Sequence, residues 1–206
     1  MKVLLGFEES QAVTNALRSK GVEAYSCDIK PCSGGHPEHH LQMNILDALN
    51  LHKWYFIGIH PVCTKMGVSG NWVYAKGKPK ERERLEAIEQ TISLWLTVCK
   101  KSKSVYMENP IGALNSDRRL PRPQIVQPYN FKEDASKATC LWLKNLEPLT
   151  STGYIEPRIV NGKKRWSNQT DSGQNKLWTS KNRAELRSKT FPGIASAMAE
   201  QWGRLL

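Results

Sequence analysis

A thiol and a carboxylate each follow an apolar run. Cys63 comes after Trp54-Tyr55-Phe56-Ile57-Gly58-Ile59 in the segment His60-Pro61-Val62-Cys63-Thr64, and Glu108 follows Ser104-Val105-Tyr106-Met107 ahead of Asn109-Pro110. Both runs read as buried strands, and the carboxyl ends of parallel strands share one edge of a sheet, so the two groups are expected to face one pocket. Addition of a thiolate to C6 of a pyrimidine makes the ring an enamine with a nucleophilic C5, and a carboxyl held partly protonated eases that attack at N3. Cysteine suits the first task because its thiol gives a useful thiolate fraction near neutral pH. Alone, Cys63 reads equally as a small core residue and Glu108 as a structural or surface acid. The conjunction points to covalent chemistry on a pyrimidine ring.

The surrounding elements supply the frame. Lys2 to Phe7 reads as a first strand, followed by a helix with Val13, Ala16 and Leu17 at helical spacing, Ser10 as its expected cap and Gly21 at its end. Val22 to Ile29 reads as a second strand, Cys32 to His40 as a Gly/Pro/His loop and Ile45 to Leu51 as a short helix. A polar loop, Lys65 to Pro79, carries Gly67, Gly70, Trp72 and Tyr74 and is expected to act as a lid; a helix from Glu81 to Lys100 presents Leu85, Ile88, Ile92, Trp95 and Cys99 as its apolar stripe. Beyond Glu108 come a Pro/Arg-rich loop through Pro128, a buried strand Thr139 to Leu143 and a closing helix Pro192 to Trp202, with Trp95 and Trp142 expected in the core. Alternating strands and helices predict an α/β, Rossmann-like fold with a mostly parallel sheet and helices on both faces. One domain over 1–206 is expected, with an irregular basic region at 150–188 and a hairpin at Asn161-Gly162.

Thirty Lys and Arg against nineteen Asp and Glu give a formal charge of +11, which favours a polyanionic partner such as nucleic acid. The five cysteines are scattered without a CxxC pair, as in a reduced protein, and Cys32, His36, His39 and His40 share a loop at spacings that match no standard zinc signature, so no metal is expected. No apolar stretch approaches the roughly twenty residues of a membrane span, and no signal-peptide pattern opens the chain, so the expected compartment is the cytoplasm.

The first strand-to-helix turn, Gly6-Phe7-Glu8-Glu9-Ser10, lacks GxGxxG, and no GxxxxGK[ST] occurs, which disfavours a phosphate cradle. S-adenosylmethionine has no phosphate; Glu8 or Glu9 suits its cationic sulfonium, and backbone N–H groups at the helix start suit its carboxylate. Asp28 stands where an acid reaches ribose hydroxyls, and Asn44 where a polar group could meet an adenine edge.

On these residues the chain resembles the cytosine-5 DNA methyltransferase family, in particular its short phage and bacterial members. The resemblance rests on Gly6-Phe7-Glu8-Glu9-Ser10-Gln11, Cys27-Asp28-Ile29, His60-Pro61-Val62-Cys63-Thr64, Met107-Glu108-Asn109-Pro110 and Phe191-Pro192-Gly193-Ile194-Ala195. It implies a Rossmann-like methyltransferase with S-adenosylmethionine as donor, DNA as partner, Cys63 as nucleophile and Glu108 on the base. The implied cofactor contacts are Phe7, Glu8, Glu9, Ser10, Asp28, Ile29, Asn44 and Pro61. Val62 departs from the Pro-Pro-Cys pattern and no Gln-x-Arg-x-Arg motif occurs; Lys137-Ala138-Thr139 stands in, with Lys137 as a cation near the base. Strand-end motifs of amine methylases place an aromatic where this chain has Cys63, so carbon methylation ranks above amine methylation.

Candidate nucleic-acid contacts are Arg118, Arg119 and Arg122, together with Lys163, Lys164, Arg165 and Trp166, where basic groups adjoin an aromatic. The short 150–188 region replaces a full target-recognition domain. Two alternatives stay open at this point: a catalytically silent DNA-binding module, and an enzyme acting on a free pyrimidine nucleotide.

Overall fold

The computed structural model describes residues 1–179 and 183–205, so residues 180–182 of the region expected to be irregular lie outside the described residues. In chain order the strands are β1 (Lys2–Gly6), β2 (Glu23–Asp28), β3 (His40–Gln42), β4 (Phe56–Ile59), β5 (Ser104–Pro110), β6 (Gln124–Val126), β7 (Thr139–Lys144), β8 (Arg158–Val160) and β9 (Lys163–Arg165). The α-helices are α1 (Ala12–Arg18), α2 (Ile45–Leu51), α3 (Asn71–Tyr74), α4 (Glu81–Lys101), α5 (Arg183–Ser188) and α6 (Pro192–Trp202). The main sheet runs β3-β2-β1-β4-β5-β7-β6; its first five strands are parallel and β7 lies antiparallel between β5 and β6. The order reverses between β1 and β4, which makes the carboxyl edge at that point the natural ligand crevice of an open α/β sheet.

Strand alternation divides the core into two faces. Leu4, Ile57, Ile59, Val105 and Met107 point to the side covered by α2 and α4, where they meet Ile45, Ala48, Ile92, Trp95 and Val98. Val3, Leu5, Phe56 and Tyr106 point to the other side, where α1 and α6 supply Val13, Leu17, Ile194, Ala195, Met198 and Trp202. Trp95 and Trp142 are both buried, as expected.

Two helices begin differently from expectation. Ser10 does not cap α1. Gln11 occupies the cap position in a left-handed conformation (φ 54°), and the amides of Val13 and Thr14 bond instead to the Glu8 carboxylate. In α4 the apolar stripe excludes Leu85, which is 55% exposed, while Arg84 one residue earlier is buried. Its Nε donates to Lys65 O (2.7 Å), its Nη1 to Asn71 Oδ1 (2.8 Å) and its Nη2 to Gly67 O (3.4 Å). The segment expected to be a polar lid is consequently a shaped wall, a 3-10 turn at Val68–Gly70 running into α3.

Short strands escaped the sequence reading. β3 lies at the end of the Gly/Pro/His loop and β6 inside the Pro/Arg-rich one, each only three residues long. The hairpin at Asn161-Gly162 is present, with both residues at positive φ (49° and 72°) as a type I′ turn requires, joining β8 to β9.

Replacing Arg84 by Met should lower unfolding stability by about 2–3 kcal/mol, because three carbonyl acceptors lose a charged donor. A reduced urea midpoint at unchanged m-value, with faster proteolysis within residues 65–80, is the expected result.

Candidate active site

The parallel register pairs Ile59 of β4 with Met107 of β5, so His60, where β4 leaves the sheet, is the neighbour of Glu108, which stays in β5 opposite Leu141 of β7, and Cys63 follows His60 three residues on. The turn there is closed by the Cys63 carbonyl, which accepts from the amides of Met66 and Gly67 at 3.0 Å each. Three contacts tie it to the segment after β5: Val68 N donates to Ile111 O (3.1 Å), Ala113 N donates to Met66 O (2.8 Å), and Gly67 and Gly112 form an antiparallel bridge. Gly112 is required for this approach, since a Cβ there would lie 2.1 Å from the Met66 carbonyl oxygen. A further tie comes from Asn109, which is buried and donates through Nδ2 to Pro61 O (2.8 Å); its Oδ1 has no partner among the described residues.

The third charged group arrives from the strand that follows. Lys137, just before β7, lines a small cavity with Glu108, Thr139, Leu141, Thr190, Phe191, Ile194 and Met198. Its Nζ donates to the carbonyls of Arg187 (2.7 Å) and Lys189 (3.5 Å), which holds the ammonium at the cavity wall. The three groups lie close enough to perturb one another. Burial raises the Glu108 carboxyl above its usual range and Lys137 opposes this. Burial and the Glu108 charge push the Cys63 thiol up, against Lys137 and Arg187. Burial thus works against the thiolate expected from the sequence, because it disfavours the charged form.

Beneath the site, His60 and Tyr106 form a hydrogen bond of 2.7 Å between Nε2 and Oη. Gly58, the β4 residue paired with Tyr106, makes room for the ring: a Cβ there would lie 2.3 Å from Tyr106 Cε1. Burial, reinforced by Lys137, lowers the His60 imidazole to about 4, so it is neutral at physiological pH. Tyr106 is raised well above its usual value by burial and by the Glu8 and Glu108 charges. Arg84, Asn109 and this His–Tyr pair are the site-supporting residues that sequence reasoning missed; only the partners in space reveal them.

At the first crossover Phe7 adopts φ 61°, the left-handed conformation for which glycine is the usual choice, and its amide donates to Cys27 O (2.7 Å). Glu8 is buried and turned inward: Oε1 accepts from Val13 N (2.5 Å) and Oε2 from Thr14 N (3.2 Å) and Thr14 Oγ1 (2.6 Å). That leaves half-buried Glu9 and Ser10 as the open polar groups of the turn. Asp28, at the end of β2, is half-buried with Oδ1 accepting from Lys30 N (3.0 Å), and the neighbouring Ile29 is 73% exposed. Asn44 is exposed and caps α2, its Oδ1 accepting from Leu46 N (2.9 Å), while Pro61 is buried at the Cys63 loop.

The basic clusters divide. Arg118, Arg122, Lys163 and Lys164 are exposed. Arg119 is bound to Glu89 (2.7 Å) and Asp117 (2.8 Å), and the Arg165 guanidinium donates to the carbonyls of Asp171 and Lys164. Trp166 is a correction to the expected base-stacking role: it is buried and stacked on Tyr129, with ring centroids 4.2 Å apart. In the histidine loop, His36 and His39 bond to Glu38 and His40 to Ser26 and Lys30; among the described residues no group of three or more His, Cys, Asp or Glu gathers as a metal site would need. Nor is any helix among the described residues long and apolar enough to cross a membrane.

Sheet order and strand-end placement together give a Rossmann-like α/β fold with its crevice at the β1–β4 reversal. No family pattern matches the sequence, and no curated protein does. Among solved structures, the chain is similar to S. pombe Dnmt2 methyltransferase, with 15% identity over 72% of this chain and 51% of that one, at a TM-score of 0.46. It is also similar to a mutant of Spodoptera frugiperda DNMT2, with 15% identity over 80% of this chain and 57% of that one, at a TM-score of 0.43. The chain thus spans little more than half the length of either structure.

Burial raises Glu8 from 4.5 to about 7, against the bonds from Thr14 and Val13. A raised folded-state value means extra proton uptake on folding, so this stabilisation is complete below about pH 4.5 and disappears as pH rises through about 7. Relative to Glu8→Gln, the wild type should lose about 3 kcal/mol across that window. His60 acts in the opposite sense, its contribution lost as pH falls from 6.5 towards about 4, so the difference between the two proteins' urea midpoints is the quantity to follow.

Proposed function

We propose that this protein methylates C5 of cytosine in DNA, with S-adenosylmethionine as the donor. The observation that carries the reading is the nearness of Cys63, Glu108 and Lys137 at one sheet edge, where Lys137 acts on both acidic groups and Glu108 on the thiol. The adjoining crevice suits an adenosine-bearing donor: Asp28 offers carboxylate oxygens to ribose hydroxyls, the open side chain of Ile29 offers an apolar surface to a base, and Glu9 offers a charge to a cationic head. Glu8 has no part in that contact, its oxygens being held by α1. Bound there, S-adenosylmethionine supplies an electrophilic methyl group.

The chain's own residues make the ring receptive. Glu108, whose protonated form burial favours, donates in that form a hydrogen bond to N3 and draws electron density from C6. Cys63 gives its proton to solvent water and forms the S–C6 bond as the thiolate, which localises electrons on C5. Lys137 offsets negative charge on the ring and on the pair of acidic groups. After transfer, water takes the C5 proton; the electrons of that C–H bond re-form the C5–C6 double bond as the C6–S bond breaks, which restores the aromatic ring and the free sulfur. Asn109, through Pro61 O, and the Gly67–Gly112 bridge hold the sulfur at its station.

Incubation with tritiated donor and cytosine-containing DNA should label the DNA, with 5-methylcytosine identified by mass spectrometry of the nucleosides. Cys63→Ala should abolish labelling, and Glu108→Gln should slow it by about 10²–10⁴-fold, the range for a lost proton donor. Full activity in Cys63→Ala would exclude the covalent route.

A further inference from the structure

We propose that the substrate strand reaches Cys63 unpaired, as single-stranded DNA, with a nucleotide next to the target stacked on the indole of Trp72. The inference rests on the reading of the site as a cytosine methylase and specifies the strand state it accepts.

Three apolar side chains stand open between Val62 and Trp72: Val62 at 70% exposure, Val68 at 58% and Trp72 at 78%. Their support is firm. Trp72 lies on α3, and buried Arg84 fastens Lys65, Gly67 and Asn71 in the segment that leads from Cys63 into it. An indole held open on this anchored segment, nine residues after the nucleophile, makes a stacking platform, which any nucleobase can use because every base has a π-face.

Charge complements the platform. Exposed Lys76 and Lys78 follow Trp72, and exposed Arg118 and Arg122 follow the Glu108 strand; among the described residues none of the four takes part in an ion pair. In the chain these cations follow the nucleophile segment and the Glu108 strand, and they are open to the phosphates of one backbone.

A duplex asks for more. Its base must be flipped at a cost of a few kcal/mol, offset by contacts to both strands and by a group that fills the vacated stack. Several aromatic and basic groups outside the Cys63 segment are already engaged within the protein. Trp166 is stacked on Tyr129, Arg119 is held by Glu89 and Asp117, and Arg158 is paired with Asp171. An unpaired strand needs no flipping energy, and stacking on one aromatic contributes about 1–3 kcal/mol per base.

The test is a titration of the whole protein, without methyl donor, against one labelled cytosine-containing sequence as single-stranded DNA, as duplex DNA and as RNA, read by fluorescence anisotropy. Single-stranded DNA should bind at least about tenfold more tightly than duplex, and Trp72→Ala should weaken the single strand by about tenfold or more while leaving the duplex unchanged. Trp72→Phe should retain most of the affinity, and an unchanged urea midpoint should show that the alanine variant is folded. Equal or tighter duplex binding, no effect of Trp72→Ala, or no binding to any strand would overturn the proposal; tighter RNA binding would overturn the assignment to DNA. Because the titration involves no methyl transfer, Trp72-dependent binding without methylation would sink the enzymatic reading alone. Methylation of duplex by a fully active Trp72→Ala protein would sink this one alone.

Discussion

The parallel pairing of β4 with β5 is the constraint from which the site follows. Once Ile59 sits opposite Met107, the next residues of both strands must emerge at the same edge, at the reversal of strand order where an α/β sheet opens a crevice. Backbone contacts then remove the remaining freedom of the two exits, through the Gly67–Gly112 bridge and the bond from Asn109 to Pro61 O. Burial then raises both the Cys63 thiol and the Glu108 carboxyl, and Lys137, at the wall of the cavity beside Glu108, opposes the shift in each.

Much of this frame was legible in the sequence. Elements with sustained periodicity, such as α2, α4 and α6, fall where their apolar spacing puts them, and β4, β5 and β7 coincide with their apolar runs. What was not legible depended on partners distant in the chain. Three-residue strands such as β3 and β6 exist because a neighbouring strand offers them a ladder, and the reversed direction of β7 is set by the route of the chain before it. The exchange of Leu85 for Arg84 in the buried stripe of α4 has the same origin: the guanidinium is buried because carbonyls of the Cys63 segment await it.

Residue type misled in two places for a common reason. Glu8 and Trp166 both belong to classes that serve ligands well, and both are used to finish the protein itself, one at the start of α1 and the other against Tyr129. A helix end without a capping side chain and an exposed aromatic face each carry a free-energy cost, and the nearest suitable group removes it. Composition counts such groups without showing which are already engaged. The positive charge is likewise an aggregate; how much of it faces a polyanion depends on which arginines have found carboxylates.

The face of the sheet shared by α1 and α6 has a consequence for biosynthesis. Val13 and Leu17 of the first helix lie against Ile194, Met198 and Trp202, so that half of the interior stays uncovered until residue 202 has left the ribosome. A nascent chain must carry this wet, apolar strip until α6 has emerged, so the two helices that cover the face, far apart in the chain, can pack only after residue 202 is made.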